Sequence, residues 1–304
     1  MKIKGFVSIG LPVYNRAQFL PRIFDVLLSQ TYRHIEVIVS DNASDDETER
    51  ICKEYALRDP RVRYIRQEEN MGQLHNFRFV LEEARGEYFM WAYDDDWWAP
   101  TYVETMKKAL DARPDYGVAM SSYRRVYNDG VLMDEFYFIG KYDITRLGYY
   151  DVFKLALLPG PKVSYFLSFG LFRTALLKSI MRRPHPDCIK FDHVIAAEAA
   201  LSTHFYSAPD ILFSKTMYRK SIKERYKDDP EVGKAYGGGK RTRHIRYARI
   251  VFDRILRSPV IPVTRKFGFL MYAYPRFLKH IIPFVIIFDF PEVYSLAKRI
   301  VQRK

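Results

Sequence analysis

The sequence predicts an α/β protein in which helices flank a mostly parallel sheet, followed by a basic helical segment at the C-terminal end. Strand-like and helix-like patterns alternate, with short loops between them, up to about residue 125 of the 304. Such alternation is typical of a parallel sheet that is covered on both faces. Beyond a glycine triplet at 237–239, helical patterns rich in arginine and lysine replace the alternation.

The predicted strands are short apolar runs, and the predicted helices between them carry apolar residues at helical spacing. The strands are Phe6 to Leu11, Ile35 to Val39, Arg61 to Arg66, Tyr88 to Tyr93 and Gly117 to Ser122. The helices are Leu20 to Leu27, Asp45 to Leu57, Gln73 to Ala84 and Pro100 to Ala112. Asp45 or Asp46 is placed to cap the second of these helices.

The second half of the chain has a less regular pattern. Residues 128–158 show weak periodicity and many aromatic residues, so we expect a loop-rich excursion there. Helical patterns return around Arg173 to Met181 and around Val194 to Ser202. We place one domain at 1–236 and a basic amphipathic segment at 240–304.

The composition is that of an ordinary globular protein, with 48% hydrophobic and 28% charged residues. The two cysteines, Cys52 and Cys188, match no metal-binding spacing, which favours reduced thiols in the cytosol. A strand pattern already begins at Val7, and we therefore expect no secretory leader.

Three consecutive carboxylates, Asp94, Asp95 and Asp96, follow directly after the fourth predicted strand. Repulsion between like charges makes such a run unfavourable at a strand end. Mg²⁺ and Mn²⁺ prefer oxygen ligands, usually one or two carboxylates together with substrate phosphates. The run therefore indicates a metal site, and an acidic turn is the alternative because Asp is a frequent turn residue.

Polar loops follow the first four predicted strands. Parallel α/β sheets bind their ligands beyond the carboxyl ends of the strands, so these loops are expected to line one crevice. The loops are Pro12 to Asn15, Ser40 to Asp46, Glu69 to Gly72 and Asp94 to Asp96.

Together, these loops and the strands before them resemble the family-2 glycosyltransferases, which use nucleotide-diphospho-sugars and have the fold called GT-A. The resemblance covers roughly residues 6–220 and rests on four motifs in a fixed order and spacing. The motifs are Val7 to Asn15, Val39 to Asp46, Glu69 to Gly72 and Asp94 to Pro100.

The resemblance implies a donor nucleotide site and a Mn²⁺ or Mg²⁺ ion. Asp41 would accept a hydrogen bond from the nucleobase, although Asp is also a common turn residue. Asp94 and Asp96 stand where the family's metal-binding Asp-x-Asp falls. Many relatives have Asp at the position of Tyr93, so the pair that binds metal stays open. The other expected donor contacts are Pro12, Tyr14, Asn15, Asn70, Gly72, Asp94 and Asp95.

The resemblance also implies a general base, because an inverting transfer removes a proton from the acceptor hydroxyl. Asp192 fits the family's pattern and is our candidate, with a plain helix N-cap as the alternative. His193 is the rival base. The family often places a basic residue near Arg219 against the diphosphate. Trp97 and Trp98 would either contact the sugar or anchor the following helix in the core.

The basic charge of the chain is concentrated near its C-terminal end. Lys240 to Lys304 holds 15 basic and three acidic residues, whereas the whole chain has a net charge of +13. Arg243 to Arg257 forms an amphipathic pattern, and no apolar stretch reaches the roughly 20 residues of a spanning helix. The apolar stripe of this pattern comprises Ile245, Ala248, Phe252, Ile255 and Leu256.

The basic segment therefore predicts helices lying on an anionic membrane surface. A helical cap packed on the catalytic domain, with solvated arginines, is the alternative. We expect no nucleic-acid partner, because the segment offers charge but no recognised motif.

The sequence thus predicts an inverting, metal-dependent transferase for one sugar, with a UDP-sugar as the favoured donor. A polyprenyl-diphosphate-linked glycan of cell-surface polysaccharide synthesis would be the acceptor, at the cytoplasmic face of the membrane. The chain lacks the Gln-x-x-Arg-Trp pattern of the processive synthases that it resembles, which favours single addition. The alternatives are a nucleotidyltransferase that uses a nucleoside triphosphate, and a non-catalytic membrane- or glycan-binding protein.

Overall fold

The computed structural model describes residues 3–137, 169–182, 191–220 and 243–276, and these form a sheet with flanking helices. The strands are β1 (Ile3–Val13), β2 (Ile35–Asp41), β3 (Val62–Arg66), β4 (Gly86–Trp91), β5 (Trp97–Trp98), β6 (Tyr116–Tyr127), β7 (Leu132–Phe136), β8 (Leu171–Arg173) and β9 (His204–Met217). The helices are α1 (Leu20–Leu28), α2 (Thr48–Arg58), α3 (Gln73–Glu82), α4 (Tyr102–Asp111), α5 (Thr174–Met181), α6 (Phe191–Ser202), α7 (Arg243–Arg257) and α8 (Val263–Arg276).

The nine strands form one mixed sheet in the order β3-β2-β1-β4-β8-β6-β9-β5, with β7 paired to β6. Strands β3, β2, β1 and β4 are mutually parallel, and β6 is parallel to β9. The short strand β8 is antiparallel to both of its neighbours, β4 and β6. Strand β5 is antiparallel to β9, and β7 is antiparallel to β6. This architecture confirms the predicted α/β class with a mostly parallel sheet and flanking helices.

Close packing of strands and helices sets the register at the functional edge of the sheet. Every residue of β2 is buried, as expected of a central strand covered on both faces. Gly10 of β1 leaves room for the Phe89 ring and for Val80, which would lie 2.7 Å from any Cβ placed there. Val13 pairs with Asp41, and Asp41 pairs with Arg66, so the ends of β1, β2 and β3 are level.

The predicted elements of the first 125 residues are all present, with shifted ends. Helix α2 begins at Thr48 rather than Asp45, because a carboxylate oxygen of Asp46 accepts the Thr48 amide proton from in front of the helix. Strand β5 was not predicted, and β7 lies inside the region predicted to be loop-rich. The rest of that region from 138 onwards, and the predicted glycine hinge at 237–239, fall outside the described residues.

The described residues divide into two compact units. The first contains 3–137, 169–182 and 203–220, and the second contains 191–202 and 243–276. Helix α6 therefore groups with the basic helices α7 and α8, whereas we had predicted a boundary between 236 and 240. The physical reason is that α7 and α8 bury apolar side chains around α6, including Ile255 and Phe269. None of the described helices is long and apolar enough to cross a bilayer.

Candidate functional site

The loops after β1 and β2 are cross-linked by short polar contacts. The Asn15 amide donates to Ser44 Oγ at 2.9 Å, and the Asp45 amide donates to Asn15 Oδ1 at 3.0 Å. Asn15 and Ala43 adopt positive φ angles of 53° and 63°, a conformation that non-glycine residues rarely take. Pro12 and Tyr14 are half-buried beside them. The two loops thus form one fixed wall at the carboxyl edge of the sheet.

Asp41, the predicted nucleobase ligand, is fully buried at the end of β2. Its Oδ1 accepts the Ser44 amide at 2.9 Å. Its Oδ2 accepts the Tyr64 hydroxyl at 2.8 Å and Arg66 Nη1 at 3.0 Å. Asp41 therefore already binds three donors of the protein, and it holds Tyr64 and the partly exposed Arg66 at this edge.

The loop after β3 lies against the same wall. Asn42 Nδ2 donates to Asn70 Oδ1 at 2.6 Å, and the Met71 amide donates to Asn42 Oδ1 at 3.0 Å. Gly72 has φ of 82° immediately before α3, which only glycine adopts without strain. The predicted donor residues Asn70 and Gly72 are thus brought to the loops of β1 and β2.

Asp94, Asp95 and Asp96, which we call the acidic cluster, follow β4 in the first unit. The Arg16 side chain, from the loop after β1, places Nε 2.7 Å from Asp94 Oδ2. Since Arg16 also donates its backbone amide to Thr48 Oγ1, the acidic cluster is tied to the β1 and β2 loops.

Asp96 is held by the last part of β9. Lys215 Nζ donates to Asp96 Oδ2 at 2.9 Å, and the Thr216 amide donates to Asp96 Oδ1 at 2.9 Å. The Asp96 carboxylate is 0% exposed, and the Lys215 ammonium lies over the Tyr93 and Phe169 rings at 4.8 and 5.0 Å. Both oxygens of Asp96 are therefore engaged by the protein.

Asp95 differs from its two neighbours in the acidic cluster. Its backbone carbonyl accepts hydrogen bonds from Arg22 and from the Thr216 hydroxyl, which fix the position of the residue. Its side chain is 19% exposed, and Lys215 Nζ is 3.9 Å from Oδ1. Within the part of the chain that the structure describes, the Asp95 carboxylate makes no hydrogen bond. Of the three carboxylates, Asp95 is the one most available to a ligand.

Burial raises the pKa values of two carboxyl groups in the acidic cluster, Asp94 and Asp96. Desolvation raises the pKa of Asp94 to about 6, against the opposing effect of Arg16 and with a further contribution from Asp95. Desolvation also raises the pKa of Asp96, while the Lys215 ammonium and the Thr216 amide oppose the shift. Desolvation alone would lower the pKa of Lys215, but Asp96 and Asp95 outweigh it and the pKa is raised. Lys215 is therefore a permanent cation at this site.

The charge and donor set of the acidic cluster fit a divalent cation. Three carboxylates face two protein cations, Arg16 and Lys215, which leaves an excess of negative charge. Mg²⁺ and Mn²⁺ need only one or two carboxylates when substrate phosphates complete the shell. Among the described residues there is no group of three or more His, Cys, Asp or Glu side chains that could hold a metal by themselves.

The remaining predicted residues lie in different surroundings. Trp98 is 1% exposed and packs against Phe213 at 5.2 Å, so it is a core anchor. Arg219 is on the surface, 2.9 Å from Asp129. Asp192 is in the first turn of α6 and is half-buried, and His193 beside it is 5% exposed. Both belong to the second unit.

Sequence reasoning missed Arg16 and Lys215 as members of the site. Arg16 directly follows the motif ending at Asn15, which was a usable signal. Lys215 is 119 residues away from Asp96 along the chain. It reaches the acidic cluster because β5 pairs with β9, with Trp97 opposite Ser214. Arg219 itself pairs with Asp129, and the expected contact of a basic residue near it with the diphosphate stays a prediction.

Comparisons with known proteins agree with this geometry. Residues 8–180, more than half of the chain, match the family model described as glycosyl transferase family 2. Glycosyltransferase GlyA of Streptococcus pneumoniae is 33% identical over 141 residues, which are 46% of this chain and 20% of GlyA. The matched segments span less than half of the length of the first curated relatives.

Two solved structures share the fold at lower identity. Staphylococcus aureus TarS 1–349 in complex with UDP-GlcNAc is 19% identical with a TM-score of 0.63, covering 90% of this chain and 73% of that one. The mannosyltransferase PcManGT from Pyrobaculum calidifontis, in complex with GDP-Man and Mn²⁺, is 18% identical with a TM-score of 0.60. That match covers 97% of this chain and 76% of PcManGT. The chain belongs to glycosyl transferase family 2 and has the GT-A fold.

Proposed function

We propose that the protein is an inverting, metal-dependent glycosyltransferase that moves one sugar from a nucleotide-diphosphate sugar to an acceptor hydroxyl. The observation that carries the proposal is the acidic cluster at the carboxyl edge of the sheet, with its excess negative charge and its available Asp95. Such a site suits a cation that meets the diphosphate of a donor. Complexes of TarS with UDP-GlcNAc and of PcManGT with GDP-Man and Mn²⁺ support this donor class.

The donor nucleotide would lie against the wall formed by Pro12, Tyr14, Asn15, Asn70 and Gly72. We propose a UDP-sugar as the donor. Because Asp41 is buried beneath Tyr64 and Arg66, it orients these two side chains toward the nucleotide. Direct contact between Asp41 and the base would require one of the two donors to move aside.

Asp95 and Asp94 would hold the cation, which supplies Lewis-acid stabilisation of the leaving diphosphate. Asp94 can contribute once Arg16 turns from it toward the phosphates. Asp96 was expected to be a ligand, but its carboxylate is 0% exposed, and a cation would reach it only if the surrounding loop moved. We therefore assign Asp96 to orienting the loop, and Lys215 to keeping the buried Asp96 ionised.

Asp192 is the proposed general base. A carboxylate in the first turn of α6 can accept a proton from the acceptor hydroxyl as that oxygen attacks the sugar. The alternative base, His193, is less suited because its side chain is almost completely buried.

The acceptor proposal rests on the basic second unit. We propose a lipid-linked glycan as the acceptor, in cell-surface polysaccharide synthesis, with the protein peripheral at the cytoplasmic face of the membrane. The excess of basic residues in α7 and α8 supports contact with anionic headgroups.

Calorimetric titration of UDP, GDP, dTDP and ATP, each with and without Mn²⁺, tests the proposal. We expect tight binding of one nucleoside diphosphate only when Mn²⁺ is present, and loss of this binding in Asp95→Asn. Asp129→Asn, a surface carboxylate paired with Arg219, is the matched control and should bind as wild type. Binding of ATP alone would favour a nucleotidyltransferase, and binding of no nucleotide would favour a non-catalytic protein.

A further inference from the structure

Helix α8 presents two apolar faces, of which only one is buried in the second unit. Phe269 and Ala273 are 0% exposed and pack into the unit. Val263, Phe267 and Met271 are 77%, 65% and 64% exposed. These three residues are four positions apart, so they form one stripe along the helix, which we call the α8 stripe.

Helix α7, in contrast, buries part of the apolar stripe that the sequence pattern suggested for membrane contact. Ile255 of the predicted α7 stripe is 1% exposed, and Phe252 lies 6.3 Å from Phe269 of α8, centroid to centroid. Arg254, the residue before Ile255, is buried in an ion pair with Glu198 of α6. Ile245 and Ala248 have side chains outside those described, and Leu256 is 47% exposed. Of the described apolar residues of the two helices, Val263, Phe267 and Met271 of α8 are therefore the most exposed.

The helix that carries the α8 stripe is itself basic, because Val263–Arg276 contains three basic residues and no acidic one. Residues 243–276 contain eight basic residues and one acidic residue, Asp253. Arg249 is exposed, and the Arg257 side chain is 76% exposed. An anionic bilayer surface complements this charge, whereas a second copy of the same basic surface would be repelled by it.

We propose that the α8 stripe is the membrane-contact face of this protein, and that it inserts into the interface of an anionic bilayer. The proposal deepens the proposed membrane location and depends on it. Burial of Phe269 and Ala273 holds α8 against the unit, so the α8 stripe is presented on an ordered helix. Its apolar side chains would lie among the headgroups and upper acyl chains, while the basic residues of the same helix would meet lipid phosphates.

Flotation of the full chain with vesicles tests the α8 stripe. We compare vesicles of phosphatidylcholine alone with vesicles that also contain phosphatidylglycerol, without any sugar donor. Wild type should float with the anionic vesicles only. The double variant Phe267→Ser/Met271→Ser should bind them at least about tenfold more weakly, because two apolar side chains no longer leave water. The control Leu57→Ser changes an 88% exposed leucine of α2 and should bind as wild type.

Three results would overturn the proposal: no binding of wild type to anionic vesicles, unchanged binding of the double variant, or an equal loss in Leu57→Ser. A wild-type dimer that the double variant dissociates, without lipid binding, would instead show that a second copy covers the α8 stripe. The single variant Phe267→Leu keeps an apolar side chain and should bind anionic vesicles. This result would show that the double variant loses apolar contact with lipid and is not simply misfolded. Nucleotide titration of the double variant should match wild type, so failure here is distinguishable from failure of the proposed transfer.

Discussion

Each of the two units contains a buried carboxylate paired with a cation, but the exposure of the cation and the surplus of charge around the pair differ. In the first unit, Asp96 and Lys215 sit beside Asp94 and Asp95, so negative charge exceeds positive charge even with Arg16. In the second unit, Glu198 and Arg254 are 3.1 Å apart, with side chains 0% and 3% exposed. The first pair belongs to the site that we propose for a further cation, whereas the second pair joins α6 to α7.

The largest expected effect is a loss of sugar transfer without a loss of donor binding. Asp192 lies on α6, the helix that also carries Glu198, whereas the acidic cluster belongs to the first unit. Asp192→Asn should lower sugar transfer by about a thousandfold, because an amide cannot accept the acceptor proton. Nucleotide affinity, measured by calorimetry with Mn²⁺, should stay unchanged.

The surface variant Asp253→Asn on α7 provides the matched control in the second unit, because it makes the same Asp-to-Asn change in a carboxylate that pairs with Arg257. It should transfer sugar at the wild-type rate. Full turnover by Asp192→Asn would remove Asp192 as the base and bring His193 forward.

Removing one member of the pair in the second unit should destabilise the protein strongly. Arg254→Met leaves the buried Glu198 without its cation, and we expect the free energy of unfolding to fall by about 3 kcal/mol. Arg257→Gln removes an exposed i,i+4 pair of the same helix and should change it by less than about 0.5 kcal/mol. Urea denaturation measures both changes.

The double variant Glu198→Leu/Arg254→Met should recover most of the lost stability, because no buried charge is left unpaired. If the double variant is no more stable than Arg254→Met, the pair has a role beyond joining α6 to α7. The contrast between a purely structural pair in the second unit and a functional pair in the first would then be wrong.

The ion pairs Asp96–Lys215 and Glu198–Arg254 also differ in which of their residues could be predicted from the sequence. Local motifs located Asp41 and the acidic cluster, because the strand ends that carry them are readable from apolar runs. Lys215 could not be found, since it is one of 49 basic residues and its contact with Asp96 depends on the pairing of β5 with β9. Apolar runs predicted strands β1 to β4 and β6, but they gave no prediction of β5 or β9, whose pairing brings Lys215 to the acidic cluster.

Arg254 shows a different limit of the sequence pattern. An arginine on an amphipathic helix is normally assigned to solvent, and the ion pair with the carboxylate of Glu198 on α6 helps to make its burial favourable. The sequence pattern also does not show which helices pack against α6. We therefore predicted a boundary between 236 and 240, whereas α6 groups with α7 and α8. The exposed α8 stripe likewise became distinguishable only after the buried face of α8 was known.

Within the acidic cluster, the three carboxylates should not be equivalent. Asp95→Asn should weaken Mn²⁺ binding, measured by electron paramagnetic resonance without nucleotide, by about thirty- to a hundredfold, because it removes the most available ligand. Asp96→Asn should weaken it by less than about threefold, since the Asp96 carboxylate is 0% exposed and out of reach of a cation at the surface of the site. A greater loss in Asp96→Asn than in Asp95→Asn would restore Asp96 as the ligand.

The smallest expected effect is a dependence of Mn²⁺ affinity on pH. It arises in the first unit because the acidic cluster contains a carboxylate with a raised pKa. Burial raises the pKa of Asp94 to about 6, so below this pH a proton occupies the oxygen that the cation needs. Affinity should therefore rise about tenfold per pH unit up to pH 6 and then level off, as expected for one competing proton.

Asp94→Asn should bind Mn²⁺ more weakly and without the step near pH 6, because the titrating group is gone. The measurement is a series of Mn²⁺ titrations between pH 5 and pH 8 on both proteins, with Asp129→Asn as the control that keeps the step. If the step persists in Asp94→Asn, a different carboxylate competes for the proton. Asp94 would then stay paired with Arg16 when the cation binds, and the first unit would contain a second structural ion pair beside Asp95.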